Sequence, residues 1–167
     1  MKKKDQILLE QAYSAVVNEF LGFGKKPQDE NNFGVKFVNL LAKGLIAKSF
    51  KYQSISGGFQ FVKDNGHGML MTISVGGDKD RFKETPVSVL IKYGEQKLYK
   101  NWNFVSQQAM YPYRKDLSGA DMDDRKKAYA EDSEWEEGQR KKVGQIYDVV
   151  AAFDSADQGK MQALMAQ

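Results

Sequence analysis

The chain contains no cysteine, which excludes a disulfide scaffold, thiolate catalysis and thiolate zinc sites, and leaves the fold to rest on packing. No apolar run approaches the ~18 residues that a membrane-spanning helix needs. The opening MKKKDQILLEQAY starts like a signal peptide, but Glu10, Gln11 and Glu19 break its apolar segment. The expectation is a soluble, cytoplasmic protein without a membrane partner. A phosphate-cradling G-x-x-x-x-G-K-[ST] is also missing; the SGG and VGG triplets sit in strand connections, with no strand feeding a helix behind them. Nucleotide hydrolysis is therefore unsupported. Internal repeats and low-complexity tracts are absent as well.

What is present suits one folded domain. The 167 residues, 41% apolar and 12% aromatic, are enough for a single real core even with 28% charged residues. The net charge of +3 hides a strong polarity. Residues 1–35 balance to zero, residues 36–115 carry thirteen Lys and Arg against five acids, and residues 116–167 carry seven against twelve. A basic middle followed by an acidic tail can attract a polyanion to one face, or let two parts of one molecule attract each other.

Periodicity divides the chain. Ile7, Leu8, Ala12, Val16, Val17 and Phe20 predict a helix over 5–21. The polar KKPQDENN connects it to a second helix over 33–48, where Phe33, Phe37, Leu40, Leu41 and Leu45 share a side and Gly44 suggests a close helix crossing. The period then shortens to two. Short strands at Phe50–Gln53 and Phe59–Phe61 flank SGG, and DNGHG makes a tight hairpin into Met69, Met71, Ile73 and Val75. After a charged loop over 76–86, a fourth strand carries Val87, Val89, Ile91 and Tyr93, and GEQ returns it into a fifth strand over 97–105. These runs predict an α+β fold: an antiparallel meander of about five strands over 50–105, packed by N-terminal and C-terminal helices.

Beyond Met110 the segment YPYRKDLSGAD reads as extended and turning. A charged helix follows over 121–153, with fourteen charges between Asp121 and Lys142 and almost no apolar face there, so this half is expected to be solvated or only partly docked. SEWE has capping-box spacing, which leaves open a new helix starting at Ser133. Val143, Ile146, Tyr147, Val150 and Phe153 form a buried stripe, and a short helix over 156–165 follows Ser155.

Candidates for catalysis are few. His67 is the only histidine, and an acid or base near neutral pH is its natural role, but NGHG is first a turn sequence with neither a nucleophile pattern nor a second histidine beside it. The pairs Asp78/Asp80 and Asp121/Asp123 have the D-x-D spacing that can hold Mg²⁺. Lys79, Arg81 and Lys83 partly neutralise the first pair, and the second sits where acids favour a helix N-terminus. No catalytic residue, metal site or cofactor is assigned, and the reading is nonenzymatic.

The basic aromatic middle remains. An open sheet that displays rings and cations can stack bases and neutralise phosphates. Alternating strands also place aromatics in a core and lysines in water without any ligand. The nucleic-acid-binding candidates are Lys92, Lys97, Tyr99, Lys100 and Trp102. Their parity divides them: Lys100 runs with Leu98, Trp102 and Phe104, whereas Tyr99 runs with Asn101 and Asn103, so Tyr99 and Trp102 point to opposite faces of a regular strand.

The stretches YGEQKLYKNWNF, 93–104, and YRKDLSGADMDDRKKAYAEDSEWEEGQRKK, 113–142, resemble the N-terminal region of phage and plasmid primase-helicase proteins. There a small antiparallel sheet with a Y-x-D-G-like turn and an N-W-like pair precedes a basic aromatic segment, an L-S step and a long charged helix. Gly94-Glu95 replaces the Asp-Gly turn. The resemblance implies a DNA-replication context and no catalysis by this region, with no catalytic residue to carry over. The leading expectation is thus a nonenzymatic module, phage-like, that binds single-stranded nucleic acid through its sheet. A protein-interaction or homo-oligomerising domain, using strand edges, the charged helix or the Met-containing C-terminal helix, is the alternative; a small-molecule enzyme using His67 with Asp78 or Asp80 is the third.

Overall fold

The computed structural model describes residues 33–56, 58–76, 84–114 and 117–167. The helix expected over 5–21, its connection, the Asp78/Asp80 pair and the cations Lys79, Arg81, Lys83 and Lys115 lie outside these residues. Helix α1, Phe33–Ala47, leads into five strands: β1 Lys51–Ile55, β2 Gly58–Asp64, β3 Met69–Gly76, β4 Glu84–Tyr93 and β5 Gln96–Val105. They pair antiparallel in sequence order, so the fold is an α+β meander. A one-turn helix α2, Gln107–Met110, the long helix α3, Met122–Asp154, and α4, Gln158–Ala166, complete the described chain.

One face of the sheet is the core. Phe59, Phe61, Met71, Ile73, Val87, Val89, Ile91, Trp102 and Phe104 are buried in alternation along their strands, against Phe37, Leu41 and Leu45 of α1, Ile146, Val150 and Phe153 of α3, and Met161 of α4. Strict period-two burial with three helices on the same side fixes the register, because a slip by one residue would turn this whole set to water. The β2–β3 turn is held from within. Gly66 and Gly68 adopt φ of +75° and +76°, Asn65 Oδ1 accepts from His67 N, and Asn65 Nδ2 donates to Phe153 O at 2.8 Å, which ties the turn to the end of α3.

Two elements depart from the sequence expectation, and a third settles an alternative that it left open. Strand β4 begins at Glu84, so Pro86 lies inside it; β4 pairs with β5 throughout but with β3 only as far as Val87, and a proline without an N–H stands where that ladder stops. The charged segment is one uninterrupted helix capped by Asp121, whose side chain accepts from Asp123 N and Asp124 N, and no helix starts at Ser133. The last helix starts at residue 158, because Ala156 has φ of +54° and Asp157 provides the cap through Lys160 N.

Helix α3 has 33 residues, about 50 Å at 1.5 Å per residue, while the longest strands span roughly 34 Å. It docks along β5 through side chains: Trp135 Nε1 donates to Val105 O at 2.8 Å, Gln139 Oε1 accepts from Val105 N, Lys142 Nζ donates to Asn103 O, and Gln145 Oε1 accepts from Trp102 Nε1. Trp135 is buried and meets Phe37 edge-on with ring centroids 5.4 Å apart. The acid-rich half of this helix is therefore partly docked, through Ala128, Trp135 and Gln139, with most of its charged residues left exposed. Among the described residues no helix is long and apolar enough to cross a membrane.

Candidate nucleic-acid interface

The second face of the sheet is not covered by any described helix. Cross-strand register runs three rows over it: Asp64, Leu70, Lys92 and Lys97; then Lys51, Val62, Thr72, Leu90 and Tyr99; then Gln53, Gln60, Ser74, Ser88 and Asn101. The first row is exposed throughout, whereas the second and third rows are half-buried in the middle strands and exposed at the edges. The third row is a polar ladder, in which Gln53 Nε2 donates to Gln60 Oε1 at 3.0 Å and Gln60 Nε2 to Ser74 Oγ at 2.9 Å. Five strands make this surface about 19 Å wide, from the ~4.8 Å spacing between neighbours.

The five candidate residues separate by face. Lys92, Lys97 and Tyr99 lie together on the open side, with Tyr99 60% exposed and one position along the same face from Lys97. Lys92 and Lys97 are direct cross-strand partners, and neither has an ion-pair partner among the described residues. Like charges placed opposite each other destabilise a sheet unless something anionic lies between or above them. Lys100 and Trp102 belong to the helix-covered side. Trp102 is 5% exposed, and Lys100 Nζ lies 5.0 Å from its ring centre and donates to Leu164 O at 3.0 Å. Trp102 therefore presents no ring face to a base, and Lys100 serves as a strut between β5 and α4. The division by parity read from the sequence holds.

Two further cations of the basic middle, Lys63 and Arg114, are engaged within the molecule. Lys63 pairs with Asp154 at 2.8 Å, and Arg114 is held by Asp132, by Glu131 at 3.1 Å and by the Ala128 carbonyl. Burial works against the charge of Arg114, but these hydrogen bonds and carboxylates outweigh it and raise the guanidinium above its ordinary range. Lys51 stays exposed at the far edge of the open face. Sequence reasoning did not single it out, because its place in the Tyr99 row becomes visible only through four strand registers. Of the rings, Phe50, Phe59, Phe61 and Phe104 are core, and Tyr52 packs on Phe59 and Phe61 at 5.9 Å each.

Of the enzymatic candidates, Asp78 and Asp80 lie outside the described residues. His67 is exposed in its turn, Asp121 caps α3, and among the described residues no three His, Cys, Asp or Glu side chains are grouped to hold a metal. No protein-family model, curated protein or solved structure matches the chain.

Proposed function

We propose that the protein is a nonenzymatic module whose open sheet face binds single-stranded nucleic acid, with Lys92 and Lys97 on backbone phosphates and Tyr99 stacked on a base. The observation that carries this reading is the facing pair Lys92 and Lys97 beside an exposed ring, with no acid paired to either among the described residues. A phosphate between two ammonium groups removes their repulsion. The neighbouring ring contributes stacking that tolerates any base. Uncharged Thr72, Ser74, Ser88 and Asn101 next to this corner supply hydrogen-bonding groups without repelling a polyanion. The resemblance of residues 93–104 and 113–142 to the primase-helicase N-terminal region favours DNA in a replication setting over RNA.

Anisotropy titration of labelled oligothymidylate and oligouridylate at two salt concentrations tests the reading. Each phosphate contact on a single strand contributes about 0.7 to the salt slope, so Lys92→Ala with Lys97→Ala lowers that slope by about 1.4. Tyr99→Ala costs about 1–3 kcal/mol at either salt concentration. Lack of binding at low salt, or binding that ignores these three substitutions, removes the basis of the proposal.

A further inference from the structure

The β2–β3 turn carries the only Asn-Gly step in the chain, Asn65-Gly66. An asparagine followed by glycine is open to deamidation, because the glycine nitrogen lies within reach of the side-chain Cγ and no Cβ on the glycine hinders the approach. Once Gly66 N has lost its proton it bonds to Asn65 Cγ, the Cγ–Nδ2 bond breaks, and Nδ2 leaves as ammonia with a proton from solvent. Water then opens the cyclic imide at either carbonyl, leaving aspartate or isoaspartate at position 65.

Water reaches this turn, since Gly66, His67 and Gly68 are exposed. Hydrogen bonds rather than burial restrain the reacting atoms. Gly66 N donates to Asp64 Oδ1 at 2.7 Å. A carboxylate is too weak a base to take an amide proton, and its negative charge opposes the amide anion that must attack. Asn65 Oδ1 accepts from His67 N at 2.9 Å and from Met69 N at 3.3 Å, and Asn65 Nδ2 donates to Phe153 O at 2.8 Å. As the ring closes, Cγ moves toward Gly66 N and becomes tetrahedral, which pulls Nδ2 off Phe153 O and tips Oδ1 away from its two donors. Phe153 is buried in the core and cannot follow. The ion pair of Lys63 Nζ with Asp154 Oδ1, at 2.8 Å, fastens the same end of α3 to β2.

We propose that Asn65 is a latent deamidation site, closed while the end of α3 is docked on the β2–β3 turn and open once that end has come away. The product cannot restore the contact. A carboxylate at position 65 has no N–H for Phe153 O, and it sets a second negative charge beside Asp64. Deamidation is thus a one-way record of detachment that leaves the helix end more weakly held.

The test incubates the full chain in mildly alkaline buffer, folded and in unfolding urea, and follows the tryptic peptide of residues 64–79 by mass spectrometry. Each hydrogen bond that must open is worth about a fivefold change in population, so the folded parent deamidates at least about tenfold more slowly than the unfolded chain. Asp64→Ala, which frees Gly66 N, and Asp154→Ala, which removes the ion pair, each speed the reaction severalfold in the folded protein and leave the rate in urea unchanged; circular dichroism verifies that both are folded. Asn65→Asp, equivalent to one of the two products, lowers the urea midpoint. The proposal is overturned if the folded parent reacts as fast as the unfolded chain, if the unfolded chain does not deamidate, if either alanine substitution leaves the folded rate unchanged, or if Asn65→Asp is as stable as the parent.

Discussion

Gly44 sits inside α1, where glycine ordinarily costs about 1 kcal/mol relative to alanine. On helix propensity alone, Gly44→Ala should stabilise the protein. The packing predicts the opposite sign. A methyl group at Gly44 would lie 1.8 Å from Tyr147 Oη and 2.5 Å from Cζ, about 1.7 Å inside an ordinary ~3.5 Å contact. The phenol cannot simply retreat, because it donates to Leu40 O at 3.0 Å and to Leu41 O at 3.3 Å. Losing that hydrogen bond costs about 1 kcal/mol, and forcing the ring out of the α1–α3 crossing costs about 1–3 kcal/mol as overpacking. Set against the propensity gain, Gly44→Ala is destabilising by about 1–3 kcal/mol. Urea denaturation followed by circular dichroism reads this as a lower midpoint at unchanged slope. In a Tyr147→Ala background the same substitution should become stabilising by about 1 kcal/mol, because only the propensity gain remains. A Gly44→Ala variant as stable as the parent, or more so, would refute the close-crossing argument.

The Arg114 clamp should be worth about 2 kcal/mol, between an exposed pair and a fully buried one, since its side chain is 20% exposed; Arg114→Ala lowers the urea midpoint and speeds amide exchange over residues 111–120, and unchanged exchange there would count against the clamp. Alkaline pH should destabilise the fold through Tyr147, whose phenol burial raises above its ordinary range: the contribution is complete below the unfolded value near 10 and is lost as pH climbs through the higher folded value. Burial lowers the Lys142 ammonium, which acts with the opposite sign just below its unfolded value, so the decisive comparison is Tyr147→Phe against the parent at pH 8 and pH 11. The gap between those two proteins should narrow at the higher pH, and a constant gap would remove Tyr147 from the account.

The sheet was legible in the sequence because one buried face imposes period two, and turn residues such as Asn65 and Gly66 can hardly be used otherwise. Gly44 was legible for a related reason, as a residue whose local cost demands a packing gain. The acidic half of α3 is partly docked, one of the two outcomes its charge pattern left open, but the residue that docks it was not legible. Trp135 stands among Glu134, Glu136 and Glu137, so any averaging over neighbours reports a solvated face, although a single indole buried against Phe37 and bonded to Val105 O is enough to dock the helix. Helix patterning counts apolar positions, and here one large side chain and the amide of Gln139 do what a stripe usually does. Pro86 misled in the other direction. It reads as a loop residue, yet it is accommodated in β4 where pairing with β3 has already ended.

The charge polarity shows why composition constrains the candidate interface less than register does. Residues 36–115 exceed their acids by eight positive charges, which suggests a broad polyanion surface. Part of that excess is instead bound by the acidic tail segment: Asp154 takes Lys63, and Glu131 and Asp132 take Arg114, while Lys100 is held by the carbonyl of Leu164. Each of these contacts joins the basic middle to residues beyond 116, so the two blocks hold the helices against the sheet. Lys51, Lys92 and Lys97 remain on the open face. Three phosphate contacts on a single strand give a salt slope of only about 2. A nucleic acid bound there would accordingly be held as much by stacking on Tyr99 and by the uncharged rows as by charge, and its affinity should fall gently with salt rather than steeply.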